Sequence, residues 1–133
     1  MRILQVMAGA EQGGAEEAFV DTCIALHDAG CEQHILTRHH DGRITRLREA
    51  GLPVTILPFG GHLDFYTGIA VRRFIRRYQP RIVQSWMSRA AHFVPAAGPR
   101  DSYVHVARLG NYYKLKYFKT ADAFVVITPM IAE

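Results

Sequence analysis

Six short runs rich in strand-forming residues recur along the chain, each separated from the next by room for a helix. They are RILQVM (2–7), QHILT (33–37), PVTILP (53–58), RIVQSW (81–86), YVHVA (103–107) and AFVVIT (123–128). Most are continuously apolar rather than alternating, as strands covered on both faces are. Between the first two, Ala15, Ala18, Phe19, Thr22, Cys23 and Leu26 repeat at helical spacing, and Gly30 closes that helix. A shorter helix is predicted around Arg43–Ala50, ending at Gly51. A third covers about Phe65–Tyr78 and stops before Pro80, because a proline disfavours helix just upstream. Ser88–Val94 reads as a short helix cut off by Pro95. This βα alternation predicts one α/β domain over residues 1–133: a Rossmann-like, doubly wound parallel sheet of about six strands with helices on both faces.

Composition narrows the class. At 133 residues, 49% hydrophobic and 21% charged, the chain is an ordinary globular domain with material for a core. No apolar stretch reaches the roughly 20 residues of a membrane span. The N-terminus MRILQVMAGA lacks the apolar segment and cleavage site of a signal peptide. Cys23 on a helix stripe and Cys31 before a strand are expected to be reduced thiols, so a cytoplasmic setting is expected. The net charge of +4 is unevenly spread: Arg72–Lys119 holds eleven basic residues and one acid, whereas the first 71 residues hold five and nine. Such polarity suits an anionic partner: a phosphorylated substrate, a membrane surface or nucleic acid.

The stretch AEQGGAEEAF (10–19) places Gly13 and Gly14 between the first strand and first helix, at a carboxyl strand end where open α/β sheets bind ligands. A dinucleotide fingerprint is missing, with Thr37, Arg38 and His39 where its acidic residue would stand; a Walker A loop is missing too. Glu16 and Glu17 occupy the first helical turn, where a phosphate would want bare amides. The glycines are therefore read as backbone bared towards a cleft, with a tight corner as the competing explanation.

The order G-G-A-E, then a helix with Phe19-Val20 and Leu26, then AGCEQHILT, GLPVTILP, YQPRIVQSW and TADAFVVIT, resembles the amino-terminal half of GT-B glycosyltransferases, in particular the large retaining family 4. The resemblance covers essentially all 133 residues. It implies a two-domain enzyme in which this half mainly holds the acceptor, with the donor-binding carboxyl-terminal domain outside this chain. The nucleotide-sugar would be a co-substrate bound weakly by this half alone, without a tightly held cofactor or a required metal. The acceptor would be an envelope glycan or lipid-linked glycan such as lipopolysaccharide. It also implies a ligand contact just after the fifth strand, where many members carry histidine; here Arg108 stands instead, and His105 within the strand is read as a core or hydrogen-bonded residue. Thr128-Pro129 would start a helix, which agrees with a chain that is part of a longer protein.

Three further stretches carry chemistry. In RLGNYYKLKYFK (108–119), Arg108, Asn111, Tyr112, Tyr113 and Lys116 combine sugar-stacking rings with cations; a structural amphipathic helix is the alternative, and nucleic acid is disfavoured. In SWMSRAA (85–91), Trp86, Ser88 and Arg89 lie where an acceptor loop would lie, with core packing the alternative for Trp86. In VRRFIRRY (71–78), Arg72 with Arg76 and Arg73 with Arg77 are one turn apart. They form either a solvated outer face or a contact with anionic lipid headgroups that makes the protein peripheral to the membrane. The pair His39-His40 is read as a solvated loop, and no histidine shows metal-ligand spacing. Catalytic residues are not identified. The competing function is a non-catalytic module that docks its basic half on an anionic membrane or nucleic acid.

Overall fold

A computed structural model describes residues 2–8, 14–60, 64–95, 103–109 and 123–126. Ten elements follow in the order β1 (Arg2–Met7), α1 (Gly14–Asp28), β2 (Glu32–Thr37), α2 (Asp41–Glu49), β3 (Val54–Ile56), α3 (Phe65–Tyr78), β4 (Ile82–Trp86), α4 (Met87–Phe93), β5 (Val104–Leu109) and β6 (Ala123–Val126). All strand pairs are parallel, and the sheet order is β3-β2-β1-β4-β5-β6. This doubly wound order reverses direction between β1 and β4, the switch point beside which such sheets bind ligands.

Right-handed crossovers divide the helices between the faces. One face packs Met7, Ile35 and Trp86 against Phe19, Val20 and Cys23 of α1 and Leu47 of α2. The other packs Leu4, Val6, Leu36 and Val83 against Val71 and Ile75 of α3 and Ala90 and Phe93 of α4. Alternation along β1 explains the split, since Leu4 and Val6 point one way and Gln5 and Met7 the other.

The helix ends follow local chemistry. Gly30 and Gly51 close α1 and α2 at φ +94° and +93°, a region that glycine enters freely. Gln79 ends α3 in a left-handed conformation at φ 54°, donating its N–H to the Ile75 carbonyl. Asp64 caps the start of α3: its Oδ1 accepts from the Thr67 N–H at 3.0 Å, and its Oδ2 from the Thr67 hydroxyl at 2.5 Å and the Gly60 N–H at 2.7 Å. These bonds hold its carboxyl below the usual carboxylate range.

Four differences from the sequence expectation bear on the site. The β3 run is ordered as strand only over three residues. Helix α2 starts at Asp41 rather than Arg43, because His40 is its N-cap: the ring Nδ1 accepts from the Arg43 N–H at 3.2 Å. Helix α4 follows β4 without a connecting residue, starting at Met87 rather than Ser88, so Ser88 and Arg89 stand in its first turn, as the helix expectation had them, and not in an acceptor loop. Strand β5 runs on to Leu109, so Arg108 sits inside a strand and not in the loop after it.

Candidate functional site

The last in-register row at the carboxyl edge runs Thr37, Met7, Trp86, Arg108, each opposite the next on β2, β1, β4 and β5. Residues opposite one another share a face of the sheet, here the α1/α2 face. Helix α1 has Gly14 as its first residue and Glu16 and Glu17 in its first turn.

Trp86 is core. It is 1% exposed, meets Phe19 edge-to-face at 5.3 Å, and donates its indole N–H to Gln5 Oε1 at 3.0 Å. That oxygen also accepts from Gln84 Nε2 at 2.8 Å. Gln5 in turn donates to Gln33 Oε1 at 3.0 Å, and Gln33 donates to the Cys23 carbonyl of α1 at 2.8 Å. Four side chains thus form one directional relay from β4 through β1 and β2 into α1. Buried amides left unpaired cost about 1–3 kcal/mol each, so the relay is stable only as a whole.

Arg108 lies across the same indole, its guanidinium carbon 4.2 Å from the ring centroid. Its Nε is buried with no hydrogen-bond partner among the described residues. Burial draws its pKa below the ordinary arginine value. The nearby Cys23 thiol is pushed upward by its own burial and is therefore neutral. Both cysteines are free.

On the other side of the switch point, Arg38 straps β2 to the segment after β3, donating Nη2 to the Phe59 carbonyl at 2.6 Å and Nε to the Pro58 carbonyl at 3.3 Å. Phe59 needs that fastening, because its φ of 45° is costly for a non-glycine residue and its N–H is held by Thr67 Oγ1 at 3.1 Å. Arg43 is buried and donates Nη2 to the Arg38 carbonyl at 3.2 Å. Burial lowers its pKa, and the charge of Glu16 opposes that shift. The Thr37 hydroxyl is buried beside them without a hydrogen-bond partner among the described residues.

Of the residues singled out in the sequence, the structure brings Trp86 and Arg108 into contact and places Gly14 at the start of α1. Gly13, Asn111, Tyr112, Tyr113 and Lys116 lie outside the described residues. His105 is fully buried on the α3/α4 face, 2.7 Å from Ser85 Oγ through Nε2, as its place in the strand implied. Sequence reasoning missed Gln5, Gln33, Gln84, Arg38, Arg43 and the capping role of His40. A signal existed for the first three: each glutamine interrupts an apolar strand core, where a buried amide must find partners. Among the described residues no three His, Cys, Asp or Glu side chains gather as a metal-binding group.

Helix α3 presents a second region. Arg72, Arg73, Arg76 and Arg77 are all exposed, while Phe74 and Tyr78 pack against the core. Beside the arginines stand Phe65, Tyr66 and Ile69, 71%, 65% and 57% exposed. A groove of about 230 Å³ between β2, β3 and α3 is lined by Leu36, Leu57, Tyr66, Ile69, Arg73 and Arg77, among others. No helix among the described residues is long and apolar enough to cross a membrane.

No protein-family model matches the chain. It is similar to two lipopolysaccharide core biosynthesis glycosyltransferases of Rhizobium meliloti (strain 1021): LpsD, 31% identical over 99% of this chain and 38% of its own length, and LpsE, 30% identical over 92% and 36%. The chain therefore spans little more than a third of these curated relatives. Its fold is similar to that of a glycosyltransferase from Rickettsia africae ESF-5, with a TM-score of 0.74 at 13% identity, covering 98% of this chain and 38% of that one. Anabaena Alr3699/HepE, solved with UDP and glucose, matches with a TM-score of 0.57 at 19% identity, covering 84% of this chain and 30% of that one. The homologues of the chain are glycosyltransferases, and its sheet is that of their Rossmann-like domains.

Proposed function

We propose that the chain is the acceptor-side half of a retaining glycosyltransferase that moves a sugar from a nucleotide-sugar to an envelope glycan or lipid-linked acceptor of the lipopolysaccharide type. The observation that carries this reading is the similarity to LpsD along nearly the whole chain; the contact of Arg108 with Trp86 at the carboxyl edge of the sheet supports it. In this reading a nucleotide-sugar is co-substrate, held chiefly by a further domain. This half carries neither a tightly bound cofactor nor a required metal. The alternative of a non-catalytic docking module is not favoured by relatives that are enzymes.

The working setting that fits is the cytoplasmic face of a membrane. Four exposed arginines beside exposed Phe65, Tyr66 and Ile69 combine headgroup charge with rings suited to the interface.

Titrating the full-length protein with a panel of nucleotide-sugars and a core oligosaccharide acceptor tests the reading. Transfer from at least one donor is expected, with none from the 133-residue chain alone; turnover by the isolated chain would overturn the division of labour. Gly14 provides a finer check. If bare backbone there admits the donor, Gly14→Val raises the donor KM or abolishes turnover while Tm stays nearly constant. A large fall in Tm with normal kinetics in the folded fraction would make the glycine a corner only.

A further inference from the structure

We propose that Arg108 is an oxyanion subsite, carried on the Trp86 ring and aimed by the buried glutamine relay, which receives a phosphate or carboxylate group of the acceptor. The inference rests on the reading of this half as the acceptor side.

The described arginines with inward or edge positions mostly have protein acceptors. Arg2 pairs with Glu32 at 2.7 Å, Arg46 with Asp21 at 3.0 Å, Arg38 with the Phe59 carbonyl and Arg43 with the Arg38 carbonyl. Arg108 has an aromatic face instead, and its Nε is buried without a hydrogen-bond partner among the described residues. A ring face stabilises the charge but occupies no N–H, so the planar fork of donors keeps its capacity for a bidentate oxyanion. Arg108 is partly exposed while its Nε is buried, so an incoming phosphate or carboxylate meets the accessible end of the guanidinium and gains charge-assisted hydrogen bonds there. The position agrees: Arg108 is in register with Trp86 at the carboxyl edge, one strand from the switch point.

Trp86 can serve as a platform because its ring is buried, packed on Phe19 and hydrogen-bonded. Its N–H is fixed to Gln5 Oε1, and the opposite end of the relay is fixed to the α1 backbone at Cys23. Gln5 is accordingly a positioning residue: it touches no ligand, yet it sets the plane on which Arg108 lies.

The chain has one tryptophan, so it has one indole N–H resonance. That resonance in the ¹⁵N-labelled 133-residue chain is to be followed while inorganic phosphate, glucose 6-phosphate, glucuronate and UDP are added separately. Saturable shifts are expected with phosphate, glucose 6-phosphate and glucuronate. Arg108→Gln should weaken each by roughly tenfold or more, the loss of one charge-assisted contact, and Arg108→Lys, which keeps charge but loses the fork, by less. Gln5→Leu should move the resonance before any anion is added and weaken the response; if that variant does not fold, the two Arg108 variants decide alone. No saturable shift in the unaltered chain, or an equal shift in Arg108→Gln, overturns the subsite. A response to UDP alone overturns its assignment to the acceptor. A phosphate-responsive Arg108 in a full-length protein that transfers no sugar leaves the oxyanion site standing and overturns the glycosyl-transfer reading; an active enzyme with a silent Arg108 does the reverse.

Discussion

Leu4 and Gln5 are consecutive, both fully buried, and face opposite sides of the central strand. On the Leu4 side the sheet meets α3 and α4 through aliphatic and aromatic contacts, with the polar groups His105 and Ser85 closed on each other. On the Gln5 side the apolar contacts with α1 and α2 are joined by a relay of amides that ends at the indole beneath Arg108. The first face is tolerant of change because dispersion and burial are non-directional. The second is intolerant because each member needs its neighbour in one orientation. The directional face is the one that reaches the ligand edge. Order there is spent on aiming a side chain rather than on stability alone.

The largest effect should come from breaking the directional face. Gln5→Leu strands the Gln84 and Trp86 donors and the Gln33 acceptor, and at about 1–3 kcal/mol per unpaired group it should lower unfolding free energy by about 4 kcal/mol in urea titration. Replacing Gln5, Gln33 and Gln84 together by leucine should cost clearly less than Gln5→Leu alone, because fewer buried groups then lack partners. Equal losses would mean that the relay is not a unit.

Next comes the dispersive face. Leu4→Ala should cost about 3 kcal/mol by lost burial and the cavity left behind, with the Trp86 indole resonance unmoved. A shifted resonance would show that the two faces are mechanically coupled.

Acid should act on the α3 side first. His34 lies on that side with Nε2 2.8 Å from Thr55 Oγ1 and its ring 4.3 Å from that of Phe74; burial draws its pKa below the ordinary 6.5. A folded-state pKa below the unfolded one gives stability that is complete above the unfolded value and lost as pH falls through the folded one. Thermal stability should therefore decline as pH drops below about 6.5, and His34→Gln should flatten that slope. Asp64, ordinarily near 3.8 and lowered by its cap bonds, should add a second decline at more acid pH that Asp64→Asn removes. Stability rising on acidification would refute the sign.

Smallest for the fold, though not for location, is the outer face of α3. Changing Arg72, Arg73, Arg76 and Arg77 to glutamine should leave Tm within a few degrees. It should weaken co-sedimentation with anionic vesicles, at about 1 kcal/mol per cation near the surface, and reduce its salt sensitivity. Unchanged sedimentation at low salt would return that helix to a solvated face.

Hydrophobic pattern made most of the fold legible. The bounds of β1 and α3 agree residue for residue with the runs that predict them, and Gly30 and Gly51 end their helices as read. Periodicity records which residues avoid water, and the parallel, doubly wound class follows from it; the strand order itself comes from the structure. It does not record which polar group meets which. Gln5, Gln33 and Gln84 come together from three strands, and His40 caps a helix by a ring nitrogen that composition treats as a loop charge. Arg108 was visible as a cation, but its support by Trp86 depends on the register of β4 with β5. Phe65, Tyr66 and Ile69 belong to a helix of correct length, yet their exposure appears only once α3 is seated on the sheet.

The β1–β4 pairing at the switch point also sets a schedule. Gln5 and Gln84 bond across 79 residues, whereas the β1–β2 pairing spans far fewer. On a ribosome adding about 5–20 residues per second, the inner edge of β1 waits roughly 4–16 s for its second neighbour. During that interval a β1–β2–β3 unit carries an open, largely apolar strand edge with an unsatisfied amide in the middle of it. Exposed edges of this kind invite pairing with other nascent chains. Synonymous changes that slow translation between α3 and β4 should therefore lower the soluble yield of this domain without altering a single contact in its folded state.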